Sequence, residues 1–345
     1  MKRKKIEDMS VCIVGLGLIG RRYVRVFSEN FNPKSIAVHD LDEAKSRQLV
    51  QQYNVKSYDG IETMLEKETP DIVIVVTPDH AHEVPVKLAL ESNASVLVEK
   101  PLATYLKAAV EMVELAEEKN LTLMVNYSQR YVTEFSWIKA QIDSGRIGKP
   151  IMVTSTKYDT IYVPTGMINW ADKTSPIFFM TSHDLDLTCW YLNANPVEVF
   201  AQEVKKGLIG KGVDTHDGVH AVVKFDSGAT AMFNSSWIIP DTYPTVAGGG
   251  MDIVGTEGLI TYSMYERKLA IYTNDGSQVI QFGGAHTADI RNEKLEGAFI
   301  KSVQSFIETV IERKEADTSG RNTLHVTEAQ CAMIRSIKEN TIIKL

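Results

Sequence analysis

Cysteine is scarce in this chain of 345 residues: Cys12, Cys189 and Cys331, an odd number at wide spacing. Each has apolar neighbours, so the three read as reduced core residues of a cytosolic protein. Neither a disulfide framework nor a zinc set is expected, and no other metal site is indicated. Long apolar runs are missing as well. No segment approaches the length of a membrane span. The start, Met1-Lys2-Arg3-Lys4-Lys5, is basic but lacks the apolar stretch and cleavage site of a signal peptide. Positive charge is not in excess. Lysine and arginine number 37 against 44 aspartates and glutamates, a formal net charge of −7, which argues against a nucleic-acid partner. What remains is a cytoplasmic globular chain, long enough for two cores, with 44% hydrophobic and 23% charged residues.

Met9 to Val14 reads as a buried strand, followed directly by Gly15-Leu16-Gly17-Leu18-Ile19-Gly20 and a helix over 18–29. Strand, glycine triplet and helix in that order form a dinucleotide fingerprint. Gly15 permits the tight turn, Gly17 lets backbone approach a pyrophosphate, and Gly20 allows helix and strand to pack closely. Phosphate would rest on the helix N-terminus, beside Leu18 and Ile19, where free N–H groups favour an anion. A second strand, Ser35 to His39, ends in Asp40. That residue stands twenty positions after Gly20, where a carboxylate accepts hydrogen bonds from ribose hydroxyls. No arginine directly follows it, so NAD is expected rather than NADP. Asp40 and Asp42 are also both plausible caps for the next helix.

Strands and helices then alternate. Asp71 to Val76 is an apolar strand ending at Thr77-Pro78-Asp79-His80-Ala81-His82. Val96 to Val98 is another, running into Glu99-Lys100-Pro101. Proline cannot continue the ladder and stops the strand there. Thr104 is placed to cap the following helix, and Leu121 to Val125 is a further strand. Such alternation implies a doubly wound parallel sheet with right-handed crossovers. Thr77, Pro78 and Lys100 then share a sheet edge with the glycine loop, where such sheets bind ligands.

Taken together, the glycine loop, Asp40, Thr77-Pro78 with His82, Glu99-Lys100-Pro101, Asn126, Arg130 and Ser144-Gly145-Arg146-Ile147-Gly148-Lys149-Pro150 resemble the glucose–fructose oxidoreductase / inositol dehydrogenase (Gfo/Idh/MocA) family. The resemblance covers essentially the whole chain. It implies an NAD(P)-dependent oxidoreductase acting on a hydroxyl of a sugar, cyclitol or derivative, with the lysine of the Glu-Lys-Pro motif catalytic. It implies a Rossmann domain over 1–125 and a substrate and oligomerisation domain over 126–345, with the C-terminal segment free to pack back on the first. It also implies homodimer or homotetramer contacts through a large open sheet. Cofactor contacts fall to Gly15, Gly17, Leu18, Ile19, Gly20, Asp40, Thr77, Pro78, His82, Glu99 and Lys100.

After the turn-rich stretch Gly145 to Pro150 the pattern changes to longer strands and hairpins. Asp226-Ser227-Gly228 and Asn274-Asp275-Gly276 each separate two strand-like runs, and Gly255 to Gly258 is a tight turn. A mostly antiparallel sheet with helices on one face is expected, followed by amphipathic helices over 293–313 and 326–340. Thr181-Ser182-His183-Asp184-Leu185-Asp186-Leu187 opens a helix, with Thr181 or Ser182 as its cap. The family pattern His-x-x-Asp makes His183 the second catalytic residue. One departure stands out: where relatives carry aspartate four residues earlier, this chain has Phe179. Asp172, Asp184 or Asp186 could substitute. Substrate contacts are assigned to Asn126, Arg130, Tyr158, Tyr162, Trp170 and Asp186, with the 158–170 loop aromatic and polar as suits a carbohydrate.

Three functions fit these residues. The first is NAD-dependent oxidation of a secondary hydroxyl, its proton leaving through Lys100 or His183. The second is a redox-neutral enzyme that recycles NAD while converting a glycoside or an anhydro-sugar such as anhydro-sialic acid. The third is a regulator that binds NAD and sugar without chemistry.

Overall fold

Four- and five-residue apolar runs build the first sheet. A computed structural model describes residues 5–282, 289–291 and 294–345. Strands β1 (Ser10–Val14), β2 (Ser35–His39), β3 (Lys56–Ser57), β4 (Ile72–Val75), β5 (Ser95–Glu99) and β6 (Leu123–Asn126) are all parallel, in the order β3-β2-β1-β4-β5-β6. Valine and isoleucine along β1 and β4 are buried on both faces, as a sheet covered by crossover helices requires. Those helices are α1 (Leu18–Val26), α2 (Glu43–Gln52), α3 (Ile61–Glu68), α4 (Glu83–Glu91) and α5 (Leu106–Glu118). The expected helix over 18–29 closes earlier as α-helix: it loosens into a π turn at Phe27–Phe31 and stops at Asn32 with φ 47°. Asp42 is the N-cap of α2, accepting from the Ala44 N–H at 3.1 Å. Helix α5 begins after Tyr105, which caps nothing through its side chain, so Thr104 does not hold the cap position expected for it.

The chain divides into two compact units, Met1–Tyr131 with Ala285–Leu324, and Val132–Gly284 with His325–Leu345. A single cut after residue 125 does not describe this division. The reason is apolar cover. Tyr23, Val24, Val26 and Phe27 of α1 share one core cluster with Leu295, Phe299, Val303 and Phe306 from far down the chain, and Tyr23 and Phe299 stack at 4.6 Å between ring centroids.

In the second unit α6 (Thr133–Asp143) leads to β7 (Pro150–Thr160), α7 (Ser182–Leu192), β8 (Pro196–Val204), β9 (Gly218–Phe225), β10 (Thr230–Ile239), β11 (Ala247–Gly255), β12 (Gly258–Ser263), β13 (Lys268–Thr273) and β14 (Gly276–Gln281). A short pair, β15 (Asp289–Arg291) and β16 (Lys294–Glu296), precedes α8 (Ala298–Glu312), α9 (Gly320–Glu339) and β17 (Ile343–Lys344). Nine strands form one sheet in the order β14-β13-β12-β11-β7-β10-β9-β8-β17. Only the β7–β10 pairing is parallel; every other neighbour is antiparallel. The three tight turns read from sequence join β9 to β10, β11 to β12 and β13 to β14. Helix α8 starts at Ala298 rather than 293, because Lys294–Glu296 is strand; Glu293 lies outside the described residues. Helix α9 begins at Gly320, earlier than 326, where a Cβ would stand 2.9 Å from Val113.

Candidate cofactor and substrate sites

The glycine loop joins β1 to α1, and its three glycines stand in three different surroundings. Gly15 has φ +94°, and an added Cβ would lie 2.6 Å from the Val76 carbonyl oxygen. At Gly20 a Cβ would overlap the carbonyl of Gly15. Around Gly17 nothing lies within 4 Å of that position. Packing inside the protein therefore does not demand glycine at 17; the open space is where a ligand would approach the backbone. Gly17 is also the N-cap of α1 and caps it with no side chain. Leu18 and Ile19 follow, 70% and 37% exposed, an uncommon place for two large aliphatics without a ligand.

Asp40 sits just past β2, its side chain mostly covered. Its Oδ2 accepts from the Leu16 N–H at 2.6 Å, its Oδ1 from the Asp42 N–H at 2.8 Å, and Lys45 Nζ stands 3.4 Å from Oδ1. The carboxylate thus braces the glycine loop, and Asp42 alone caps α2. Thr77 and Pro78 lie past β4, both half-buried. His82 is 1% exposed. Its Nδ1 lies 2.8 Å from the Pro101 carbonyl and its Nε2 3.0 Å from that of Thr77. With no surface left to offer a cofactor, it stands between the loops after β4 and β5, and with one N–H it donates to one of the two carbonyls. Burial pulls its pKa below the ordinary histidine value against the nearby Asp79 carboxylate, which favours the neutral ring with a single N–H.

Lys100 follows β5 on the same carboxyl edge and is half-buried. Its neighbour Glu99 faces a buried polar cluster: Oε1 accepts from Tyr23 Oη at 2.8 Å and from Asn126 Nδ2 at 2.8 Å. Asn126 also donates to Tyr23 Oη at 2.6 Å, and its Oδ1 accepts from Ser302. Being 1% exposed and bonded at both ends, Asn126 braces Glu99 rather than meeting a substrate. Arg130 lies in a 3₁₀ turn, with Nη1 3.4 Å from the Asp317 carbonyl.

In the second unit His183 belongs to the first turn of α7, but no free helix end precedes it. A π turn at Ile177–Thr181 runs straight into the helix. Neither Thr181 nor Ser182 caps it, since the chain is already helical. Thr181 instead pairs with Ser235 at 2.7 Å. Phe179 packs between Trp170 (5.8 Å) and Trp237 (5.7 Å). Among the substitute carboxylates, Asp184 is engaged by Ser155 Oγ at 2.9 Å and Lys157 Nζ at 3.3 Å, and Asp172 is exposed in a 3₁₀ turn. Asp186 is 1% exposed, too buried to be the substrate contact expected. Tyr158 Oη accepts from Asn234 at 3.4 Å. Tyr162 is 49% exposed and anchored through its backbone N–H to Asp241 at 3.0 Å.

Two family profiles match: "Oxidoreductase family, NAD-binding Rossmann fold" over residues 9–127, and "GFO/IDH/MocA C-terminal domain" over residues 135–261. The chain belongs to the Gfo/Idh/MocA family. An inositol 2-dehydrogenase of Rhizobium meliloti is 24% identical across 96% of this chain and 98% of its own length. A 1,5-anhydro-D-fructose reductase of Ensifer adhaerens is 32% identical over 59% of this chain and 60% of its own. Among solved structures, a levoglucosan dehydrogenase in complex with NADH and levoglucosan superposes with a TM-score of 0.83 at 18% identity, covering 98% of this chain and 99% of that one.

As a Gfo/Idh/MocA protein the chain carries an NAD-binding Rossmann unit, and the open space at Gly17 fits that cofactor. Reading the sequence did not find Tyr23, Ser302, Lys157 or Trp237. Tyr23 sat in the apolar stripe of α1, Lys157 in a strand and Ser302 in a helix, each with an unremarkable neighbourhood. No helix among the described residues is long and apolar enough to cross a membrane.

Proposed function

We propose that this enzyme moves a hydride between NAD and a secondary hydroxyl of a sugar, cyclitol or sugar-acid derivative. One observation carries the reading: the carboxyl edge of a single parallel sheet gathers Gly17 with its open space, Asp40, Thr77-Pro78 and Lys100. When bound, NAD supplies the two-electron acceptor at its nicotinamide ring. The protein supplies the rest. Gly17 and the start of α1 take the pyrophosphate, and Asp40 accepts from the ribose hydroxyls while opposing a 2′-phosphate. Lys100 or His183 accepts the hydroxyl proton as the C–H bond breaks; relatives named as dehydrogenases and a reductase support the reaction type.

A second reading follows from Phe179. Hydrocarbon occupies the position one turn before His183, so no carboxylate from that place stabilises an imidazolium. The altered proton route is compatible with a redox-neutral cycle in which NAD is reduced and reoxidised in one turnover. Product forming without net NADH, from protein purified with NAD bound, would select it.

We also infer a homodimer or homotetramer and a cytoplasmic home. Phe200, Val222 and Met232 stand in register across β8, β9 and β10 on the face opposite the buried Ala201, Val223 and Phe233, and are 37%, 48% and 44% exposed. Such a row suits a second copy. Cys12 is buried and free, and burial first of all pushes its thiol up to about 12, which disfavours the reactive thiolate.

The test is a screen of polyols, sugars and sugar acids for NADH formation, with Lys100→Ala beside the wild type. The variant should bind NAD within a few-fold of wild type and lose turnover by about 10²–10⁴-fold, the usual worth of a positioned proton acceptor. Unchanged turnover would remove Lys100 from the chemistry. Failure of the wild type to bind NAD would sink the function itself.

A further inference from the structure

Glu99 is the last residue of β5 that the sheet still holds. Strand β4 pairs with β5 as far as Val98, and only β6 continues, setting Asn126 opposite Glu99. Lys100, the next residue, lies beyond both pairings. Where the lysine emerges therefore depends on what fixes Glu99, and side chains do so. Asn126 Nδ2 carries two hydrogens, and both are placed: one is donated to Tyr23 Oη at 2.6 Å, the other to Glu99 Oε1 at 2.8 Å. The Tyr23 hydroxyl donates its own hydrogen to the same Oε1 at 2.8 Å. Ser302 Oγ donates to Asn126 Oδ1 and so sets which way the amide faces. Every donor in this chain leads toward one carboxylate, and bonds to an ionised acceptor are the stronger kind.

Tyr23, Asn126 and Ser302 are 0%, 1% and 0% exposed, so solvent offers no substitute donor. Burial first, and then the Glu99 carboxylate, hold the Tyr23 phenol well above its ordinary pKa, which keeps its hydrogen available for donation. Helix α8 grips the chain twice. Phe299 and Ser302 share one helix face: the first packs on the Tyr23 ring at 4.6 Å between centroids, the second holds Asn126. Tyr23 in turn belongs to α1, the helix that starts beside the open space at Gly17. We propose that Tyr23, Asn126 and Ser302 are positioning residues, which act through Glu99 to aim Lys100 relative to the start of α1. This rests on the reading of Lys100 above and adds to it three residues that meet no substrate.

The experiment is acetylation of the full-length protein with acetic anhydride, followed at each lysine by peptide mass spectrometry. It runs beside NADH formation from the best substrate of the sugar screen. Tyr23→Phe keeps the ring against Phe299 and removes only the hydroxyl; Ser302→Ala cuts the chain at its far end. The control is Tyr58→Phe, which removes another tyrosine–glutamate bond of the same unit, to Glu68 beside the edge strand β3. Tyr23→Phe and Ser302→Ala should each speed Lys100 acetylation by about threefold or more, with the other lysines and NAD affinity within about twofold of wild type, because only a local restraint is lost. Their kcat should fall about tenfold while KM stays within about twofold, as for a misaimed proton acceptor. Tyr58→Phe should change neither. In a Glu99→Ala background, Tyr23→Phe should have no further effect on Lys100, since both act through one carboxylate. Lys100 acetylation unchanged in both variants, or changed as much by Tyr58→Phe, would overturn the positioning. Faster acetylation with an unchanged kcat would uphold it and remove Lys100 from the chemistry. If no sugar yields NADH, the acetylation result decides alone.

Discussion

In the first unit the candidate ligand positions are mostly backbone; in the second they are side chains. Gly15, Gly17 and Gly20 act by what they omit, and each omission has its own geometric cause. The candidate residues Phe179, Trp170 and His183 would act by what they present, and Phe179 is held by two tilted aromatic neighbours and a π turn. Backbone recognition suits a cofactor that never changes. Side-chain recognition would leave the substrate open to revision by one residue, and Phe179 stands at such a position.

That contrast can be broken most forcefully at the glycines. Gly20→Val should abolish folding, because its Cβ would overlap the Gly15 carbonyl, whereas Gly17→Val, with no protein atom near its Cβ, should leave the denaturation midpoint almost unchanged and lose most NAD affinity. Thermal melts with calorimetric NAD titration would separate the two, and a melting loss at Gly17→Val equal to that at Gly20→Val would make the loop a packing device only.

A smaller effect tests whether charge anchors the second unit as glycine shapes the first. Lys157→Met strands the Asp184 carboxylate with Ser155 as its remaining partner here, and should cost about 3–5 kcal/mol in chemical denaturation. Replacing both members with apolar residues, Lys157→Met with Asp184→Leu, should recover most of that. If the single change costs under about 1 kcal/mol, the pair behaves like a solvated surface bridge.

Smallest is the change at Asp40, the side chain proposed to meet the ribose of the cofactor. Asp40→Ala should weaken NAD binding by about 10- to 100-fold, since charge-assisted bonds are worth about 1.5–3 kcal/mol each, and should improve relative use of NADP. Lys45, now 3.4 Å from Oδ1, would then be released toward a phosphate. Equal wild-type affinity for the two cofactors would show that Asp40 serves the loop alone.

The same contrast explains what the sequence made legible. The parallel sheet, the glycine loop and the turns at 226–228 and 274–276 followed from local rules, because apolar runs and glycines announce themselves within a few residues. The return of a C-terminal segment to the first unit was expected, but which segment was not legible, because α8 joins the first core through contacts such as Tyr23 with Phe299, which no local pattern records. His82, Asn126 and Asp186 carried ligand-type side chains at motif positions, yet burial turns all three inward. A motif marks where a residue matters; it does not distinguish touching a ligand from holding the group that does. Thr181 and Ser182 failed as caps for a related reason: a π turn supplied the preceding helical residues, and serine or threonine caps only where the helix begins.

The bond from the Leu16 N–H to Asp40 Oδ2 has a thermodynamic consequence. The carboxylate that would hold the adenosine ribose also holds the loop that would hold the phosphates. Any ligand atom competing for Oδ2 alters the restraint on Leu16, so the two ends of a dinucleotide meet on one side chain. Their binding free energies are then coupled rather than additive: a nucleoside fragment occupying the ribose position changes the affinity of a pyrophosphate fragment, and the reverse change is equal.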